Sequence, residues 1–283
     1  MSANLWKTSL RGEFSTGATR FQPGKCLALR TLKLTIAYDG TRYAGWQAQR
    51  RGGSGGKPTV QETLEKALRR ILREPVRIVG SGRTDAGVHA EAQVAHVRTR
   101  ASIPAWRLLR AANALLPADL AVTRIEEAGN SFHARFGAKR KRYRYRIFTA
   151  PVVPPFIRPY VAQVRVPLDV ARMRREAAAL RGRHDFRAFA RAGSVGEGRS
   201  AVRAIAGVAL RRREHELHLD IEGNGFLHTM VRTIAGTLID VGRGRLPSGT
   251  VRRMLRTGSR SLAGTVAPAQ GLTLRAVTYR NAS

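Results

Sequence analysis

The 283-residue chain is 43% hydrophobic and carries 51 Lys and Arg against 19 Asp and Glu, a formal charge of +32. It is long enough for one large domain or two small ones. Its single cysteine excludes an internal disulfide and a multi-thiolate zinc site, and no apolar run nears the roughly 18 residues of a membrane helix.

The charge selects polyanions as partners, nucleic acid ahead of an anionic membrane surface. Only seven of the cations are lysine, as in proteins of GC-rich genomes, but codon bias does not account for the shortage of acids. Residues 1–30 are polar, hold one acid, Glu13, and follow neither a helical nor a strand period. They read as a disordered extension without a signal-peptide core, a transit peptide being the weaker option.

Order begins where Leu32, Leu34 and Ile36 alternate with Lys33 and Thr35, a strand pattern. Asp39-Gly40 marks a turn, and Arg50 to Pro58 is a glycine-rich loop. That loop is not a phosphate-binding loop, since Arg51 and Pro58 stand where such a motif requires Gly and Ser or Thr. Thr59 with Glu62 forms a capping box opening a helix whose stripe is Val60, Leu64, Ala67, Leu68 and Ile71. A strand at Val76–Val79 runs into the turn Gly80 to His89, followed by a strand at Gln93–Val97, a helix over 104–116 and a strand at Leu120–Ile125.

A similar order then recurs. A strand at Tyr143–Phe148 precedes a helix at Val170–Leu180 and strands at Val202–Arg211 and Glu214–Ile221. A long helix is expected over Phe226–Val241, a short one near 248–256, and a last strand near 272–279. This grammar predicts an α+β protein with helices packed on a largely antiparallel sheet, built as an internal pseudo-repeat.

Residues 80–90, Gly-Ser-Gly-Arg-Thr-Asp-Ala-Gly-Val-His-Ala, hold the chemistry. Their glycines allow a tight turn and close approach of a ligand. Arg83 and Asp85, two apart on an extended segment, point to one cleft, and a carboxylate on such a turn suits a nucleophile or a base. On local chemistry alone a turn-capping Asp beside a structural Arg is the favoured reading, since short Asp-Gly turns are common. His215 and His218, three apart on a strand, face opposite ways and do not make a zinc pair, so no metal is expected.

The string Gly82 to His89 resembles the signature of the tRNA pseudouridine synthase A family. Further blocks agree in order: Tyr38-Asp39-Gly40 with Tyr43 to Gln47, Thr59 to Glu62, Phe132 to Phe136 with Lys141 to Tyr145, Phe226 to Arg232, and Gly271 to Leu274. The resemblance covers about residues 31–280. It implies the pseudouridine synthase fold, with two related α/β halves, 31–137 and 138–283, around a central sheet and a basic cleft between them. It implies isomerisation of uridines 38, 39 and 40 of the tRNA anticodon stem-loop, without a cofactor, by a cytoplasmic homodimer bridged by one tRNA. Its residues carry over as follows: Asp85 is the catalytic carboxylate, Arg232 its ion-pair partner, Arg83 the support of the flipped nucleotide, Tyr143 the aromatic against the uracil, and Leu272 the apolar wall. The runs Arg140-Lys141-Arg142, Arg211-Arg212-Arg213 and Arg172 with Arg174-Arg175 are expected phosphate contacts, and the Gly52–Gly56 loop a tRNA-facing element. A synthase acting on another RNA and a non-catalytic RNA-binding module remain as alternatives.

Overall fold

The computed structural model describes residues 28–48, 56–196 and 200–279. The expected extension falls outside the described residues up to residue 27, as do residues 52–55 of the glycine-rich loop. The first strand, β1 (Arg30–Tyr38), begins one residue inside the segment expected to be an extension.

Alternation decides the layers. In β1, Leu32, Leu34 and Ile36 are buried beneath α1 (Val60–Leu72) and α2 (Ala105–Leu115), while Lys33 and Thr35 face the other way. Around β1 lie β2 (Ile78–Gly80), β3 (His89–Thr99) and β4 (Leu120–Ala128). The second half supplies β5 (Ala138–Phe148), the two-residue β6 (Ala162–Gln163), α3 (Val170–Ala178), β7 (Gly182–Asp185), β8 (Val202–Arg213), β9 (Glu216–Gly223), α4 (Met230–Gly242), α5 (Thr250–Thr257) and β10 (Leu272–Tyr279). The sheet runs β4-β1-β3-β10-β5-β9-β8-β7, with β2 beside β3 and β6 beside β5. Within each half the first strand is flanked by the last and by a middle one: β4-β1-β3 and β10-β5-β9. We propose to divide the halves at 137/138, in the connection between β4 and β5.

The sheet is largely antiparallel, and its exceptions matter. β10 pairs parallel to β3, Thr273 opposite His89 and Leu274 opposite Ala90, and this seam joins the halves. Parallel strands begin at the same end. The loop before β3 and the loop before β10 therefore emerge side by side.

Two elements differ from expectation. The helix foreseen from Phe226 starts only at Met230, because Thr229 adopts φ 60°, a left-handed conformation outside the helical region. The hairpin between β8 and β9 turns at Glu214, φ 48°, so His215 sits in the turn and only His218 in the strand. The capping box is present in full, with Thr59 accepting from the Glu62 N–H while the Glu62 carboxylate accepts from Thr59.

Candidate active site

The segment from Ser81 to Val88 leaves β2 and reaches across the seam. Ser81 is pinned by its N–H to the Val94 carbonyl at 2.7 Å, and the Gln93 amide donates to the Gly82 carbonyl at 3.0 Å. Thr84 is buried, its hydroxyl 2.9 Å from that of Tyr38. Its carbonyl accepts from the Trp46 N–H at 3.1 Å. Gly45 lies against this turn at φ +94°, and a Cβ there would stand 2.7 Å from the Thr84 carbonyl oxygen. The turn is thus held from both flanks, which fixes the direction of Asp85.

Asp85 meets the N-terminus of α4. Its Oδ2 accepts from the Arg232 guanidinium at 3.0 Å, and its Oδ1 is 3.3 Å from His228 Nε2. Both Asp85 and Arg232 side chains are 19% exposed, so the pair is mostly withdrawn from water yet reachable. Arg232 Nε donates to the Ala267 carbonyl at 2.9 Å, which orients the guanidinium before any substrate arrives. Helix α4 also directs its positive end toward the carboxylate. A guanidinium and an imidazole thus converge on one carboxylate at a helix start.

Tyr143 is buried in β5, its ring edge-on to Phe226 with centroids 5.1 Å apart. Burial pushes its hydroxyl well above the usual phenol range, and the nearby Asp85 carboxylate adds to this, so the ring works as a neutral face near Asp85. Tyr145, two residues on, is wholly buried and donates to the Pro268 carbonyl at 2.8 Å, holding the loop before β10. Leu272 opens β10 opposite Tyr145, 6% exposed, at the same end of the seam as the Asp85 turn.

Asp85, Arg232, Tyr143 and Leu272 therefore gather at one end of the seam. Arg83 goes elsewhere. It is exposed, and its Nε donates to Gln47 Oε1 at 3.1 Å, with Gln47 bonded in turn to Gln61 of α1 at 2.8 Å. His89 is bound on both sides of its ring, Nδ1 accepting from Gly40 N–H at 3.0 Å and Nε2 lying 3.1 Å from the Pro159 carbonyl. Burial holds its pKa below the ordinary value against the pull of Asp39, so it is a neutral structural ring.

Two residues at the site had no part in the chemistry expected from the sequence. His228 stands one helical turn before Arg232, a spacing visible within Phe226–Arg232 had the pair been weighed together. Lys141 was expected only as a phosphate contact. Its Nζ donates to the Ser81 carbonyl at 2.6 Å, and burial, then Arg135 and Arg203, lower its pKa to about 8. Other expected phosphate contacts are committed within the protein: Arg140 pairs with Glu222 and Arg211 with Asp220. Among the described residues no group of three or more His, Cys, Asp or Glu is arranged to hold a metal ion. Among the same residues no helix is long and apolar enough to cross a membrane.

The chain matches the family model described as tRNA pseudouridine synthase over residues 34–137 and 177–280. It is 44% identical over 252 residues to a tRNA pseudouridine synthase A of Ruminiclostridium cellulolyticum, covering 89% of this chain and 100% of that one. A tRNA pseudouridine synthase A of Moorella thermoacetica is 45% identical over 248 residues, covering 88% and 99%. That of Pelobacter propionicus is 45% identical over 251 residues, covering 89% and 100%.

Proposed function

The chain belongs to the tRNA pseudouridine synthase family, and on that premise we propose that it isomerises uridines 38, 39 and 40 of the tRNA anticodon stem-loop, with Asp85 as the catalytic carboxylate. Its coarser activity is that of the family: uridine in tRNA becomes pseudouridine, on the pseudouridine synthase fold. The observation that carries the catalytic reading is the Asp85 carboxylate, engaged on both oxygens by Arg232 and His228 and close to the buried Tyr143.

The reaction breaks the C1′–N1 bond of uridine and forms a C1′–C5 bond; C5 loses a proton and N1 gains one, so nothing is consumed. An anion at Asp85 serves either attack on C1′ or removal of a sugar proton. The uridine is unreachable while stacked, and flipping it out costs a few kcal/mol. Tyr143 repays part of that by packing against the uracil, with Leu272 closing the apolar side. Arg83, exposed and bonded to Gln47, takes up the phosphate or the gap left by the flipped nucleotide once it leaves that bond. The committed acid–base geometry around Asp85 favours an enzyme over a bare RNA-binding module.

The test is tritium release from tRNA carrying 5-tritiated uridine. The native chain releases it, and Asp85→Asn does not; full activity in Asp85→Asn ends the catalytic assignment. Substrates with uridine at only one of positions 38, 39 and 40 decide the target: release from none of them, with release from other tRNA uridines, moves the site elsewhere. A homodimer is part of the proposal, and sedimentation of the full chain checks it.

A further inference from the structure

The turn between β4 and β5 displays an aromatic ring that the fold does not bury. Phe136 is 77% exposed, yet it is held in one attitude. Its ring stacks on His133, centroids 4.4 Å apart and planes at 27°, with the Arg135 guanidinium 5.9 Å from its centre. His133 is locked in turn, its Nδ1 accepting from the Arg135 and Phe136 N–H groups at 3.2 and 3.1 Å. Beneath, the Ala134 N–H donates to His96 Nδ1 at 3.1 Å and the Ala134 carbonyl accepts from the Tyr279 hydroxyl at 2.7 Å. A large apolar side chain set rigidly in water is a feature of binding surfaces.

The surroundings of Phe136 say what it binds. Arg135 and Arg203 both act on the Lys141 ammonium, which is itself bonded to Ser81 in the turn that presents Asp85. The ring therefore stands in a cationic neighbourhood continuous with the active site. Along β5 the five steps from Ala138 to Tyr143 span roughly 16 Å, too far for one nucleotide to touch both rings.

We propose that Phe136, stacked on His133 and flanked by Arg135, is a shelf for an unpaired base of the tRNA other than the uridine undergoing reaction. A π-face with a cation at its rim accepts any base, so the shelf supplies affinity and register without reading sequence. It rests on the reading of the chain as acting on the anticodon stem-loop.

The experiment uses the full chain carrying Asp85→Asn, so that bound tRNA is not turned over, and tRNAs with 2-aminopurine at single unpaired positions near the target. One position outside 38–40 is quenched on binding. Phe136→Ala abolishes that quench and weakens binding roughly five- to a hundredfold, while Phe136→Trp retains both. The salt dependence of binding stays the same, as no charge is removed. Unchanged quench and affinity in Phe136→Ala, with an unchanged melting temperature, overturn the shelf. Loss of self-association with RNA affinity intact overturns it too, and assigns the ring to a protein contact. Failure of the native chain to release tritium from positions 38–40 would sink the target assignment, whereas the quench reads tRNA contact alone.

Discussion

At the scale of single residues, the proposed role of Asp85 makes the contacts around its carboxylate decisive for activity. Arg232→Met removes a guanidinium that touches the carboxylate and the Ala267 carbonyl at once. A drop in kcat of about a hundredfold or more is expected, with a smaller change in KM. Arg232→Lys keeps the charge without the fork and falls between. His228→Ala, at the other oxygen and 44% exposed, should lose about tenfold. Lys141 gives a pH signature. Its folded pKa of about 8 lies below the unfolded 10.5, so the unfolded chain binds more protons between those values. The native protein should gain stability relative to Lys141→Met as pH rises from 8 to 10.5, read as denaturant midpoints; an unchanged gap would contradict the assignment. Asp85 itself was legible only through its long sequence context, since its two partners come from residues 228 and 232. Arg83 shows the limit of local spacing: two residues from Asp85, it is drawn aside by Gln47, whose approach depends on the first loop docking on α1.

At the scale of elements, most helices and strands followed from periodicity and caps. The Thr59–Glu62 box was readable because its hydrogen bonds are local, and Thr59→Ala should lower stability by about 1 kcal/mol. What periodicity could not show was the start of α4. Leu227, Met230, Val231 and Ile234 continue one apolar stripe, but Leu227 belongs to the turn preceding a left-handed Thr229. That strained residue bends the chain so that His228 and Arg232 bracket the carboxylate. The shortest strands, β6 and β7, carry too few residues for any period to register. Gly45 marks a tertiary constraint of the same kind. Gly45→Ala combines φ +94° with a contact of 2.7 Å to Thr84, so it should cost about 2 kcal/mol or more and slow turnover by displacing the Asp85 turn. Thermal melts and tritium release measure the two effects separately.

Across the whole molecule, the two faces of the sheet divide the charge. On the face turned away from the helices, Arg144 is bonded to Asp220 and Arg146 to Glu216, while Lys33 pairs with Glu126. Many of the few acids are spent there, so the excess of cations shown by composition is left for other surfaces. Arg83→Gln should lower the slope of log Kd against log salt for tRNA by about one. A paired Arg144→Gln, Asp220→Asn substitution should leave it unchanged; an equal fall in both would deny the division. Composition announced a polyanion partner, yet which arginines face it depends on cross-strand register, which a single sequence does not display.

The parallel seam has a consequence in time. β10 follows every other described strand in the sequence, yet it sits between β3 and β5 and joins the halves. Each half can begin to fold as it is made, but the seam cannot close until β10 takes its place. Asp85 would wait, already built and without its partners, while the remainder of the chain is still being added. A protein interrupted shortly before Leu272 keeps Asp85, Tyr143 and Arg232 and should still be silent. Activity here certifies that β10 has been made and has docked between β3 and β5.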